Sequence, residues 1–430
     1  MAKNTMENTS VGQDASQKQS HEQDVITVVL TADNHLGYSA FGQQPRKREA
    51  LQQRLREALQ QATDFAIEQK VDLFVQAGDL FDTTTPDERD RSFVAERLAE
   101  LKLADVRTFA LGGLHDTPNS GRSLTGESTP APQMSYERLG ALQYFPPSTE
   151  QKLEPALLNL HGISVALCGL GVLNDQQTDP LARLQVSDTI DQAAITLLIL
   201  HAPIESLVTG TSLFESRAQV SCRNLSSPFH YVLAGYHHSY SRLTCGRTEV
   251  VVAGTTQHID FTLPDEVPGF VYLGLAADGI RWCKHVPVES LSLQSLVIST
   301  SELWPTDPET LTGPTSLILE RLRPLCSPDT LLLLRLDGEL SRSHYHELDL
   351  NQIRRYGEEH CFALAIDDSA LTMLPDSEAA ETGERFSPRE ELITLADEWI
   401  EDAFDEHEKQ ALRATKDELL LALDDPKGRR

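Results

Sequence analysis

The chain has 430 residues, 65 acidic against 37 basic, and a formal net charge of −28. Such a length exceeds one ordinary core and suits two domains, or one large domain with an appendage. The charge is unfavourable for autonomous wrapping of a phosphate backbone, which relies on clustered Lys and Arg, so any nucleic-acid contact must be local or shared with a partner.

No stretch approaches the roughly 20 consecutive apolar residues of a membrane span, and the first residues are polar throughout. The expectation is a soluble, cytoplasmic protein without membrane contact. Met1 to Asp24 is dominated by Gln, Ser, Asn, Lys and Glu, with almost nothing to bury, and reads as a loose tail. The run VITVVL over Val25 to Leu30 predicts a buried strand, and Leu51, Leu55, Ala58, Leu59, Ala62, Phe65 and Ala66 give Arg48 to Gln69 helical periodicity. Val71–Ala77 predicts a strand, Asp87–Leu103 a helix and Val106–Leu111 a third strand, an alternation that implies a sheet flanked by helices.

After Asp116 comes a long loop rich in Ser, Thr, Gly and Pro. Short apolar strands then recur at Ile163–Leu170, Ala194–Leu200, Tyr231–Ala234, Val250–Ala253 and Phe270–Leu275, as a second half-sheet requires. Near residue 290 the texture changes. Leu331–Leu336 and Phe362–Ile366 predict strands around a helix over Asp349–Glu359, a small separate module. From Ser387 a Ser-Pro-Arg-Glu start precedes an amphipathic helix carrying Leu392, Leu395, Ala396, Trp399, Ile400 and Phe404. Packing on its own domain and docking on a partner are equally open for that helix. The six cysteines include no Cys-x-x-Cys pair and read as buried, reduced thiols.

The chemistry lies in five segments: Asp33-Asn34-His35, Gly78-Asp79, Gly113-Leu114-His115-Asp116, His201 and Gly235-Tyr236-His237-His238. Each follows a predicted strand, where open α/β sheets place ligands. Any one of these histidines alone is more often structural. Together they offer the carboxylates and neutral imidazoles that a hard divalent cation needs to polarise a phosphoryl oxygen. Asp82 is near enough in sequence to support a ligand without being one, and the His115-Asp116 neighbours suggest an imidazole oriented by a carboxylate.

These residues resemble the motifs of the calcineurin-like metallophosphoesterases: Asp-x-His, Gly-Asp, Gly-Asn-His-Asp/Glu, a lone His and Gly-His-x-His. DNHLGY and GDLFD are similar in wording to the SbcD-type DNA double-strand-break repair nucleases, and Ala253-Gly254-Thr255-Thr256-Gln257 resembles that family's turn after the last motif. The resemblance implies an α/β sandwich of two mixed sheets flanked by helices over residues 25–290. It also implies a small α/β capping domain over 291–375 and C-terminal helices over 376–430 that bind a partner.

It further implies a first metal on Asp33, His35, Asp79 and His238, all present. A second metal would share Asp79, take His201, and need an Asn and a His where this chain has Leu114 and Tyr236. Leucine donates no lone pair and a neutral phenol is a poor ligand, so the second site should be weak or empty. His237 is a poor substitute, because neighbours in an extended segment point opposite ways. His115, with Asp116, would stabilise the transition state or leaving group. Mn²⁺ is the implied cation, DNA ends the substrate and an SbcC-like SMC-type ATPase the partner, with a homodimer left open. The leading expectation is thus a DNA nuclease with weakened activity. The alternative is a catalytically degenerate scaffold subunit of an SMC-like ATPase complex. A phosphatase or cyclic-nucleotide phosphodiesterase is disfavoured by the capping-like region and helical tail.

Overall fold

The computed structural model describes residues 25–374 except 41–43, 119–129, 147–151, 172–178, 180, 183–184, 209–218, 226–227, 260, 262–265 and 305–312, together with 393, 396, 400, 409, 412–413 and 415–416. The expected tail over Met1–Asp24 and most of the C-terminal amphipathic segment, including Leu392, Leu395, Trp399 and Phe404, lie outside the described residues; Ala396 and Ile400 are helical.

In chain order the first elements are β1 (Ile26–Thr31), α1 (Pro45–Glu68), β2 (Leu73–Ala77), α2 (Glu88–Leu103), β3 (Arg107–Leu111), α3 (Gln133–Arg138), β4 (Gln143–Phe145), β5 (Lys152–Leu153), β6 (Ala156–Leu160), β7 (Ile163–Leu170), β8 (Gln185–Val186), β9 (Ile195–His201) and α4 (Cys222–Leu225). They continue with β10 (Tyr231–Gly235), β11 (Ser241–Cys245), β12 (Thr248–Val252), β13 (Gly269–Ala276), β14 (Gly279–Pro287) and β15 (Ser292–Ser299). After these come α5 (Thr300–Leu303), α6 (Pro314–Leu322), β16 (Thr330–Ser341), α7 (Arg342–Glu347), α8 (Leu350–His360) and β17 (Ala363–Leu374).

Two six-stranded mixed sheets carry the larger unit, with orders β14-β13-β1-β2-β3-β4 and β11-β12-β10-β9-β7-β6. In the first, β1, β2, β3 and β4 run parallel and β13 and β14 close one edge antiparallel. In the second, β7, β9, β10 and β12 are parallel, with antiparallel β6 and β11 at the edges. The period-2 alternation of each strand divides its apolar residues between two cores. Ile26, Val28 and Leu30 of β1 pack with Ile195, Leu197 and Ile199 of β9 between the sheets. Val29 turns outward to Leu51, Leu55 and Leu59 of α1, while Leu198 and Leu200 face a third core. The fold class is therefore the expected α/β sandwich of mixed sheets.

The helices that cover the first sheet are specified locally. Pro45 opens α1, and the Asp87 side chain caps α2 by accepting from Asp90 N at 2.8 Å. Leu55 is fully buried beneath α1, a contribution of about 1.5–3 kcal/mol on the usual scale for burying a leucine. A buried Arg56–Asp90 ion pair at 2.7 Å joins the two helices.

One compact unit comprises residues 1–296, 322–334 and 354–366, and the other 297–321, 335–353 and 367–430. Strands β15, β16 and β17 form a three-stranded sheet in that order. Within the second unit Ser299 and Glu302 make a capping box at α5, and Trp304 Nε1 donates to Glu347 at 3.0 Å.

The cysteine reading needs a correction. Cys222 and Cys245 form a disulfide that ties α4 to the end of β11, with Cα atoms 5.1 Å apart. They lie 23 residues apart in sequence, so their spacing gave no signal; strand order brings them together. Cys168, Cys283, Cys326 and Cys361 are free thiols.

Candidate metal centre

The five segments occupy the carboxyl ends of neighbouring strands. Asp33 and His35 follow β1, Gly78 and Asp79 follow β2, and Gly113 to Asp116 follow β3; His201 ends β9 and Gly235 to His238 leave β10. The first two loops are zipped together by Asp33 N to Gly78 O, His35 N to Asp79 O and Leu36 N to Leu80 O, each 3.0 Å. In the second sheet Gly235 pairs directly with His201.

Backbone strain concentrates at these residues. Asp33, His35, Asp79 and Tyr236 have φ of +47°, +46°, +51° and +83°. Left-handed backbone costs a non-glycine residue on the order of 1–3 kcal/mol and persists where the surroundings impose it, commonly at functional sites. Tight glycine contacts complete the frame. A Cβ on Gly113 would stand 2.2 Å from Asp79 Oδ1, and one on Gly78 2.2 Å from His201 Nδ1.

Three overlapping donor sets result: Asp33, His35 and His238; His35, Asp79 and His115; and Asp33, Asp79 and His201, with the ligand atoms of each set within 4.8 Å of one another. In the first set Asp33 Oδ1 and His35 Nε2 are buried without a hydrogen-bond partner. His35 Nδ1 lies 3.0 Å from Asp82 Oδ1, which makes Nδ1 the donor and leaves the Nε2 lone pair for the set. Asp33 Oδ2 accepts from Tyr236 N at 3.0 Å. Asp33 Oδ1 and His35 Nε2, buried without a protein partner and within 4.8 Å of each other and of a His238 ring nitrogen, fit a divalent cation.

In the third set His201 Nδ1 donates to Ala77 O at 2.8 Å, and its Nε2 stands 3.2 Å from Asp79 Oδ2. Asp79 Oδ1 accepts from His115 N at 2.7 Å. Burial disfavours ionisation of both partners. Their mutual attraction outweighs it, holding the Asp79 carboxyl well below the usual carboxylate range and lifting His201 to about 9. Asp33 goes the other way: burial raises its carboxyl, only partly offset by His201 and His238. Because His201 is raised in the fold above its unfolded value, its contribution to stability is complete below about pH 6.5 and is lost as pH rises through about 9. In chelator, the melting temperature of the wild type should fall over that window, and His201→Gln should fall less steeply, above all between about pH 8 and 9, as read by circular dichroism.

Leu114 is half-buried in the β3 loop, and the Tyr236 ring meets the His201 ring edge-on with centroids 5.6 Å apart. His237 is committed elsewhere. Its Nε2 accepts from Ile204 N at 2.9 Å, and burial keeps the ring neutral, lowered to about 4.

One expectation about geometry is corrected. The carboxylate that reaches His115 is that of Asp82, 3.4 Å from its Nδ1, and not that of its chain neighbour Asp116. Asp116 is fully buried and turned inward, accepting from Gly113 N at 2.7 Å, from Phe81 N at 3.2 Å and from Gln133 Nε2. Burial and the Asp79 charge push it up to about 7. Asp116→Ala strands three buried donors at roughly 1–3 kcal/mol each, so chemical denaturation should show a loss of at least about 3 kcal/mol.

Sequence reasoning also missed what holds the first set from behind. Thr255 donates through Oγ1 to Asp33 O at 2.9 Å and through N to His238 O at 2.8 Å, while Asn34 Nδ2 donates to Thr256 Oγ1 at 3.1 Å. The Ala253–Gln257 wording pointed to this turn, but nothing in it says which atoms it grips.

Residues 26–235, just under half of the chain, match the model of the calcineurin-like phosphoesterase family. The match covers Asp33, His35, Asp79, His115 and His201 and stops short of His238, and it supports a hydrolase of phosphate esters. The DNA double-strand break repair protein Mre11 of Methanosarcina mazei is 22% identical over 240 residues, 54% of this chain and 33% of that protein. The protein of the same description from Sulfurisphaera tokodaii is 24% identical over 216 residues, 50% of each. The chain therefore spans half or less of the length of these relatives. Among solved structures, a dimetal phosphatase from Danio rerio aligns at 15% identity over 59% of this chain and 93% of that one, with a TM-score of 0.34. Among the described residues no helix is long and apolar enough to cross a membrane.

Proposed function

We propose that this chain is a metal-dependent phosphodiesterase that cuts DNA ends, similar to SbcD-type nucleases, with activity reduced by Leu114 and Tyr236. The observation that carries the reading is the convergence of buried, unpartnered Asp33 Oδ1 and His35 Nε2 on His238. Asp33, His35, Asp79 and His238 would hold a first Mn²⁺, and His201 with Asp79 is what would remain for a second. A divalent cation there supplies a Lewis acid for a phosphoryl oxygen and a nucleophile at neutral pH.

The chain's own groups orient the substrate. Asp82 fixes both His35 and His115 through one oxygen. His115 is half exposed, at 44% of its side-chain surface, and so is accessible to a phosphate or leaving-group oxygen. By the same resemblance, residues 291–375 are the capping domain and 376–430 the segment that docks on an SMC-type ATPase, which would add basic surface to this acidic chain.

Leu114 and Tyr236 favour one second reading, a scaffold subunit that keeps a single structural metal. Cleavage of linear and hairpin DNA in Mn²⁺, with and without the ATPase, separates the two. Metal-dependent cleavage supports the nuclease. One bound cation and no cleavage in either condition supports the scaffold.

A further inference from the structure

A cavity of about 220 Å³ is lined, among others, by Thr84, Thr85, Arg91, Met134, Ser135 and Arg138. Both of its walls are anchored to the catalytic loops. Thr84 and Thr85 follow Asp82, whose carboxylate touches His35 and His115. Met134 and Ser135 follow Gln133, whose amide donates to the buried Asp116.

Arg91 differs from its neighbours on α2. The other two arginines of α2 are neutralised, Arg89 by Glu49 at 3.2 Å and Arg97 by Asp64 and Glu100 at 3.2 and 2.6 Å. Among the described residues no ion pair joins Arg91 or Arg138 to a carboxylate, although the chain carries an excess of 65 acids over 37 bases. Two uncommitted guanidiniums with three hydroxyls in one small concavity provide the planar donors that suit a phosphate. The volume falls below the roughly 300–1,000 Å³ of clefts that enclose whole drug-sized ligands, which fits one backbone group better.

We infer that this cavity is a subsite for one non-scissile backbone phosphate of the DNA strand being cut, gripped by Arg91 and Arg138. The inference deepens the nuclease reading and rests on it. It gives so acidic a chain a local contact for a nucleic acid on the loops that continue from Asp82 and Asp116.

Binding in EDTA isolates the subsite from chemistry. A fluorescein-labelled oligodeoxythymidylate is titrated with the full chain over a salt series by fluorescence anisotropy. Arg91→Gln with Arg138→Gln should weaken binding about tenfold and flatten the log Kd against log salt slope by about 0.7, the value for one phosphate on a single strand. Arg138→Gln alone, at an exposed position that does not threaten folding, should weaken binding about threefold. Arg89→Gln should match the wild type. Unchanged affinity and slope in the double variant, an equal loss in Arg89→Gln, or no oligonucleotide binding by the wild type overturns the subsite. Failure of the nuclease reading shows separately, as absence of Mn²⁺-dependent cleavage by a wild type that still binds through these arginines.

Discussion

Asp79→Asn should abolish detectable Mn²⁺-dependent phosphodiester cleavage while leaving the sandwich folded. Its carboxylate belongs to two of the three donor sets, accepts from His115 N at 2.7 Å and faces His201 at 3.2 Å. A supporting residue outside the ligand set typically changes metal affinity or activity by about 10- to 100-fold. A shared ligand should therefore cost more than about 100-fold in kcat/KM, read by steady-state hydrolysis of a phosphodiester. The same change removes the counter-charge of His201, so calorimetry should also show weaker Mn²⁺ binding. Full turnover in a folded Asp79→Asn variant would remove this carboxylate from the mechanism.

Leu114→Asn combined with Tyr236→His should raise turnover by about 10- to 100-fold, on the same scale for completing a metal environment. Two of the donors proposed for a second cation are already in place. Asp79 and His201 face each other, and the Tyr236 ring stands beside His201. Tyr236 also bonds Asp33 through its backbone N, which a histidine keeps. The substitution replaces an inert side chain and a poor phenol donor with an amide oxygen and an imidazole. Titration calorimetry should count a second Mn²⁺. Two bound cations without a gain in rate would contradict the mechanism carried by the motifs.

How far these arguments could be made from sequence depended on the kind of signal. The strands that end at the site are short apolar runs bounded by turn residues, and Ile163–Leu170 has the bounds expected from that pattern. Edge strands were missed. Ser241–Cys245 is short, with only Leu243 and Cys245 apolar, and Gly279–Pro287 carries Arg281, Lys284 and His285, so neither stands out from a loop. Elsewhere the expected bounds were short. Strand β16 runs on to Ser341 through Asp337 and Gly338, past the apolar residues that signalled it.

At the site, the order of motifs named the donors because each follows a strand whose carboxyl end the fold aligns. Partners that depend on side-chain direction escaped. Chain adjacency suggested Asp116 for His115, whereas the β3 loop turns Asp116 inward and brings Asp82 across from the β2 loop. The Thr255 clamp and the Cys222–Cys245 disulfide escaped as well, since the first depends on how the two sheets meet and the second on how α4 lies against β11.

Anomalous diffraction at the manganese edge, from crystals of the full chain equilibrated with Mn²⁺, tests the account most directly. A peak within coordination distance of Asp33 Oδ1, His35 Nε2 and the His238 ring, at about 2.0–2.2 Å, is the predicted result. Crystals saturated in Mn²⁺ that show no peak between these three side chains would contradict it.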